Sequence, residues 1–369
     1  MSNGPQRLSL RHPGGTTTVF VGRGVVEASR PSFTKWLTDR LVFLVSSPRV
    51  LELHGDAIQE LLAPAETVVT LTAPEGEEAK SLEVAGRLWA EMLESGGKRD
   101  SRLVAFGGGS IGDLGGFLAG CFLRGIEYLQ LPTTLLAQVD ASLGGKTAVD
   151  HGATKNSIGL FHHPALVLSE IAFLSTLPKG ELRAALAEVV KMALLLDPLL
   201  LEWVERDLDK LLAGDPAALE PVVVASAKAK MRVVERDPEE GDQRRLLNFG
   251  HTLGHALEVA LGYGDLRHGE AVAYGMLFAL RLAERRGLEK PVAERLRRLL
   301  ARFDLPALPP VDPDELMEIM GRDKKAKRGG LVWVLPVAAG EGRMVPDIEP
   351  EEVRRELEDF LRDPLPTAS

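Results

Sequence analysis

Cysteine is all but missing: Cys121 is the only one in 369 residues, so no internal disulfide can form, and such usage fits a reducing compartment. A basic surplus is missing too. The formal net charge is -9, which disfavours a general nucleic-acid binder while leaving room for a local cationic pocket around an anionic metabolite. No uncharged apolar run reaches the length of a membrane span, and Met1-Ser2-Asn3-Gly4-Pro5 lacks both the basic and the apolar region of a signal peptide. The expectation is a cytoplasmic protein with neither a membrane nor a nucleic acid as partner. Internal repeats and low-complexity tracts are absent as well. What is present, 45% hydrophobic residues, supplies a substantial core and suggests two domains.

Residues 6–22 alternate apolar and polar around His12-Pro13-Gly14-Gly15, the pattern of an opening hairpin. Short β-rich runs at 41–45, 67–71, 103–106 and 128–131 then alternate with helical patterns, which implies βαβ units and a mostly parallel sheet. From Leu177 long helices replace the strand signals. The fold class expected is therefore α/β, with residues 1–176 as an α/β domain and 177–369 as a mainly α-helical one. In parallel sheets ligands bind at the carboxyl ends of strands, so the turns there carry the candidates.

After the third of these runs comes Gly107-Gly108-Gly109-Ser110-Ile111-Gly112-Asp113, a G-x-G-x-x-G turn between strand and helix. Its glycines can let phosphate oxygens approach backbone N–H groups, or they can serve close packing. A dinucleotide fold of the usual kind has this motif after its first strand, and here it lies deep in the chain. Glu77 and Lys80 share a helical face, which by itself reads as an ion pair. Asp140 is followed by Gly144-Gly145-Lys146 and then Lys155-Asn156, a flexible cationic turn suited to an oxyanion, though not a Walker loop. Arg124 adds a cation close by in sequence.

The helical half begins with AALAEVVKMALLL (184–196), apolar on every side except for Glu188 and Lys191. Charges in such a helix need partners, either each other or a site elsewhere. Lys228, Lys230 and Arg244 then lead, past Glu239 and Glu240, into NFGHTLGHALEVALGYGDLRHGE (248–270). His251 and His255 lie one helical turn apart and share a face, and His268 can fold back over them. Spacing leaves two readings open, a metal site or a capped core helix with surface histidines. The zinc-protease pattern is excluded, because Thr252 stands where that motif needs its glutamate. A site built from two histidines also calls for a carboxylate from elsewhere.

The ordered set PEGEEAKS, GGGSIGDLGGF, FLRG, LPTTLLAQVDASLGGKTAVDHGATKNSIG, AEVVK, NFGHTLGHA, HGEAVAYGM and DKK closely resembles the 3-dehydroquinate synthase family of sugar-phosphate cyclases. The resemblance implies an α/β NAD-binding domain and a helical domain with the active site between them, in a homodimer. It implies a divalent metal, zinc or cobalt, on Glu188, His251 and His268. It assigns His255 to substrate, together with Lys146, Asn156 and Asn248 around a phosphate, and Lys230 and Arg244 at a carboxylate. Lys191, Glu240 and a DKK lysine, Lys324 or Lys325, join that catalytic set, and Arg124 reaches the neighbouring subunit. For NAD it brings in Glu77, Lys80, Gly108, Gly109, Asp113, Thr133, Thr134, Asp140, Lys146, Lys155 and Thr176.

The implied substrate is a small anionic sugar phosphate, 3-deoxy-D-arabino-heptulosonate 7-phosphate, which is oxidised, loses phosphate, is reduced, opens and recloses by an aldol step. One departure stands out. Where the family usually carries Asp or Asn toward the adenosine end, this chain has Ser46-Ser47-Pro48, whose hydroxyls remain able to meet a ribose. The alternatives are a sister cyclase whose substrate lacks the carboxylate and a metal-dependent NAD polyol dehydrogenase.

Overall fold

The computed structural model describes the chain apart from residues 1–3, 153, 242, 263–264, 289, 327–330, 347 and 366–369, and apart from the side chains of 322–326. In chain order the strands are β1 (Gln6–His12), β2 (Gly15–Gly22), β3 (Leu41–Ser46), β4 (Thr67–Thr72), β5 (Arg102–Gly107), β6 (Tyr128–Pro132), β7 (Lys146–His151), β8 (Thr154–Phe161), β9 (Leu166–Glu170), β10 (Trp333–Ala338) and β11 (Glu341–Val345). The helices are α1 (Val25–Leu37), α2 (Pro48–Leu62), α3 (Leu82–Glu94), α4 (Gly109–Cys121), α5 (Lys179–Leu196), α6 (Pro198–Ala213), α7 (Pro216–Arg236), α8 (His251–Ala260), α9 (His268–Glu284), α10 (Lys290–Ala301), α11 (Pro313–Ala326) and α12 (Pro350–Arg362).

The chain divides into two compact units, one of residues 1–178 with 214–239 and one of residues 179–213 with 240–369. A single cut after 176 therefore misses one excursion, α7, which belongs with the sheet. The reason is its apolar face: Ala227, Met231 and Val234 pack with Leu10, Val19 and Val167 of β1, β2 and β9.

Among the described residues of the first unit, seven strands form one sheet in the order β1-β2-β9-β6-β5-β3-β4. Only β1 runs antiparallel, as the expected opening hairpin with β2. The rest pair in parallel. From β3 the chain moves one way to β4 and the other way to β5, β6 and β9. This reversal makes a switch point between β3 and β5, beside the glycine turn that follows β5. Apolar residues cover both faces, with Phe43, Leu103 and Ala105 on one and Val42, Leu44 and Val104 on the other. The β7–β8 hairpin and β9 were not anticipated. Strand β9 is buried along its whole length, so it shows no alternation that would announce it.

The second unit is helical apart from the β10–β11 hairpin. Its centre is α9, whose described residues from Gly269 to Leu280 are all buried. The closing helix α12 is charged, as its sequence suggests, but it is not wholly exposed: Val353, Leu357 and Phe360 are buried, and Phe360 meets Phe278 of α9.

Candidate functional site

In the first unit the strand ends assemble a polar cluster. Lys80 is 4% exposed, and its ammonium lies 3.3 Å from Glu77, 3.2 Å from Asp113 and 2.5 Å from the amide oxygen of Asn156, to which it donates. Burial alone would lower the Lys80 pKa, but Asp113, Glu77 and Asp150 outweigh it and the pKa is raised. Burial pushes Asp113 up to about 6 despite the pull of Lys80. Glu77 also accepts from the Ser110 hydroxyl at 3.3 Å. The i, i+3 pair is thus real, and it is one edge of a larger network. Asn156 stands in left-handed backbone at φ 52°, which asparagine tolerates, and its N–H donates to Asp150 at 2.7 Å.

The glycine turn serves both purposes considered for it. A Cβ on Gly112 would come within 2.7 Å of the Gln130 side chain on β6, so this glycine lets α4 lie close to the sheet. A Cβ on Gly108 would sit 3.1 Å from Thr134 Cγ2 and fill the space beside the start of α4. Gly109 heads α4, whose first N–H groups have no partner within the helix, and Asp113 lies one turn on. Together with buried Thr133, this cradle fits the phosphates of a dinucleotide.

Other candidates are already engaged. Lys230 donates to Asp140 at 2.5 Å, so residues expected on two different ligands are partners. Thr176 lies 2.9 Å from the ring of His54, a residue no motif singled out, and donates to the Phe173 carbonyl. Ser46 is fully buried, and its hydroxyl donates to the Phe106 carbonyl at 2.7 Å, so of the serine hydroxyls considered for a ribose this one is engaged inside the sheet. Lys146 opens β7 and is exposed. Arg124 is exposed on left-handed backbone at φ 70°.

In the second unit the three residues expected at a metal come together. Glu188 of α5, His251 of α8 and His268 of α9 offer donor atoms that all lie within 4.8 Å of one another. Glu188 Oε1 faces His251 Nε2 at 3.7 Å and His268 Nε2 at 3.8 Å. It is buried and, among the described residues, receives no hydrogen bond. Tetrahedral zinc with bonds near 2.1 Å needs donors about 3.4 Å apart, so a small contraction would close the set on an ion. Oε2 of the same carboxylate meets Lys191, so the ion pair and the metal reading describe different oxygens.

Both imidazoles are fixed through Nδ1. That of His251 donates to the Phe249 carbonyl at 3.1 Å, which leaves Nε2 with its lone pair. Burial first, then the positive charges of Lys191, His255 and His268, hold the His251 pKa well below its ordinary value, which favours the neutral ring. Burial acts the same way on His268, but the hydrogen bond it donates to Glu258 and the charges of Glu188 and Glu258 outweigh it and raise the pKa.

Backbone proximity makes this convergence possible. Gly250 caps α8 at φ 79°, and a Cβ on Gly275 would fall 1.8 Å from the Gly250 carbonyl oxygen. A Cβ on Gly269 would fall 1.8 Å from the Ala184 carbonyl oxygen, so α9 touches α5 just below Glu188. His255 is exposed with its ring 5.9 Å from that of His268, and it belongs to a second donor group with Glu258 and His268. Arg244 is 1% exposed, Glu240 has left-handed backbone at φ 61°, and Asn248 donates to Glu240 at 3.5 Å. The Lys324 side chain lies outside the described residues.

Comparison with known proteins follows this geometry. Two family models match, 3-dehydroquinate synthase N-terminal over residues 70–184 and 3-dehydroquinate synthase C-terminal over residues 185–326. A 3-dehydroquinate synthase of Symbiobacterium thermophilum is 44% identical over 350 residues, covering 93% of this chain and 98% of that protein. A solved 2-epi-5-epi-valiolone synthase from Streptomyces hygroscopicus subsp. jinggangensis, with NAD+ and Zn2+ bound, is 28% identical at a TM-score of 0.86, over 94% of this chain and 97% of its own. A solved 2-deoxy-scyllo-inosose synthase, complexed with carbaglucose-6-phosphate, NAD+ and Co2+, is 26% identical at a TM-score of 0.86, over 96% and 99%.

Proposed function

The chain belongs to the 3-dehydroquinate synthase family, and from that premise we propose that it converts 3-deoxy-D-arabino-heptulosonate 7-phosphate into 3-dehydroquinate and phosphate, as a carbon–oxygen lyase dependent on NAD and one divalent metal. The observation that carries the reading is the set of Glu188, His251 and His268, in which the unpartnered carboxylate oxygen faces both Nε2 atoms. These three would hold zinc or cobalt. The dinucleotide would lie on the glycine turn with Glu77, Lys80, Asp113, Thr133, Thr134, Asp140, Lys155 and Thr176. When bound, NAD supplies a hydride acceptor regenerated in each turnover, and the cation supplies Lewis acidity at a substrate hydroxyl and its ketone.

The chain's own residues then bind and orient. Lys146 and Asn156, with Asn248 and His255, hold the leaving phosphate. Because an oxygen of that phosphate can accept the neighbouring proton, the elimination needs no dedicated protein base. Lys230 and the buried Arg244 recognise the carboxylate, the guanidinium by its planar fork. Lys191 keeps the Glu188 charge compensated inside an apolar helix. Fixing a flexible substrate at both ends supplies several kcal/mol of the barrier through orientation. The same reading makes the enzyme a cytoplasmic homodimer in which Arg124 reaches the phosphate bound by a second copy. Among the described residues, no helix is long and apolar enough to cross a membrane.

Substrate discrimination tests the proposal. Phosphate release from the heptulosonate phosphate should exceed that from a heptulose 7-phosphate without the carboxylate by at least about a hundredfold, because a buried cation would be left unpaired. Equal turnover of the sugar phosphate that lacks the carboxylate points to a sister cyclase. Accumulation of NADH with glycerol points to a dehydrogenase. Either result overturns the assignment.

A further inference from the structure

Glu258 has no place in the chemistry above, yet it is 6% exposed and lies beside the candidate metal centre. It sits on α8 seven residues after His251, two turns on and on the same side of the helix. From there it reaches the first residue of α9, where its Oε2 lies 3.2 Å from His268 Nδ1. The other nitrogen of that ring, Nε2, faces Glu188. The imidazole therefore stands between two carboxylates, hydrogen-bonded to Glu258 and separated from Glu188 by a gap the size of a coordinated ion.

We propose that Glu258 is a positioning residue for the metal centre: it pins the proton of His268 on Nδ1, fixes the ring plane and leaves Nε2 as the ligand atom. The inference rests on the metal reading of Glu188, His251 and His268. A neutral imidazole can offer its proton on either nitrogen, and a ring at the first position of a helix has little backbone around it to choose. An ionised carboxylate only accepts, so it selects the Nδ1–H form, and its charge strengthens the lone pair opposite. His251 is held by the same device with a different acceptor, the Phe249 carbonyl. The start of α9 is itself secured: Glu270 accepts from the Arg267 N–H at 2.8 Å, and Arg267 pairs with Glu181 at 2.8 Å. The overlapping donor group of His255, Glu258 and His268 is then not a second metal site, because it would need Glu258 as a ligand rather than as an acceptor.

The test is zinc affinity of the full chain, read by competition with a chromogenic chelator, together with the visible absorption of the cobalt-loaded protein. Glu258→Ala should weaken zinc binding about 10- to 100-fold and alter the cobalt spectrum, while Glu258→Gln, which keeps an acceptor without the charge, should fall in between. Thermal unfolding of both variants in the metal-free state should stay near wild type, which separates loss of positioning from loss of the fold. Glu188→Ala serves as the reference. If it loses zinc while Glu258→Ala binds with wild-type affinity and spectrum, the positioning role is wrong and the metal reading stands. If Glu188→Ala keeps zinc and His255→Ala loses it, the ion belongs to the other donor group, and both the role and the metal reading fail.

Discussion

Glu188 divides its carboxylate between two tasks. One oxygen meets Lys191 and the other is, in the proposed function, the one for a cation, so a buried acid has a compensating partner with or without a metal. Asp113 is the contrasting case, a half-buried acid whose partner compensates it only in part. Its pKa is about 6 in the fold against an ordinary 3.8, chiefly through burial. Between these values the folded chain holds a proton that the unfolded chain has released. Its contribution to stability therefore falls as pH rises through that window and is gone above it. For the cofactor-free protein, the change in Tm between about pH 4 and about pH 7 should include this loss, and Asp113→Asn should remove it. Identical pH dependence in the two proteins would refute the assignment.

At the scale of elements, the site depends on how closely α9 lies against α5 and α8. Gly269→Ala would drive a methyl group into the Ala184 carbonyl, a backbone atom that cannot turn aside. The start of α9 must then retreat, carrying His268 from Glu188, at a cost of about 1–3 kcal/mol or more. Lower Tm together with weaker zinc binding is expected. Gly86, inside α3, meets nothing within 4 Å, so Gly86→Ala should instead stabilise by about 0.4–1 kcal/mol. Thermal melts and zinc titration of the two variants side by side check this, and matching behaviour would count against the close-packing account.

The sequence made α5 readable because two charges in an otherwise apolar helix demand partners. It made His251 and His268 readable through their motifs. Glu258 escaped notice because an acid near the end of an amphipathic helix looks like any solvated one. Only its seven-residue spacing from His251 hinted at a shared face. Strand β9 was hidden for the opposite reason: five consecutive buried residues carry no period. The pairing of Lys230 with Asp140 spans 90 residues, and no local pattern encodes it.

Over the whole molecule, the chain leaves the sheet unit after residue 178, returns to it for 214–239 and leaves again. Composition pointed to one crossing because α7 is a helix among helices, and only its packing on β1 and β2 reveals where it belongs. In the proposed function each unit would carry part of the equipment, the cradle for a dinucleotide in one and the donors for a cation in the other. The proposed activity requires that both serve a reaction with no net redox change. The most direct measurement is the amount of phosphate released per NAD, with the heptulosonate phosphate in excess, zinc present and NAD limiting. Phosphate should exceed NAD many times over, stop on addition of a chelator, and leave no lasting NADH absorbance. Phosphate that halts at the amount of NAD supplied, with NADH accumulating in step, would contradict the account.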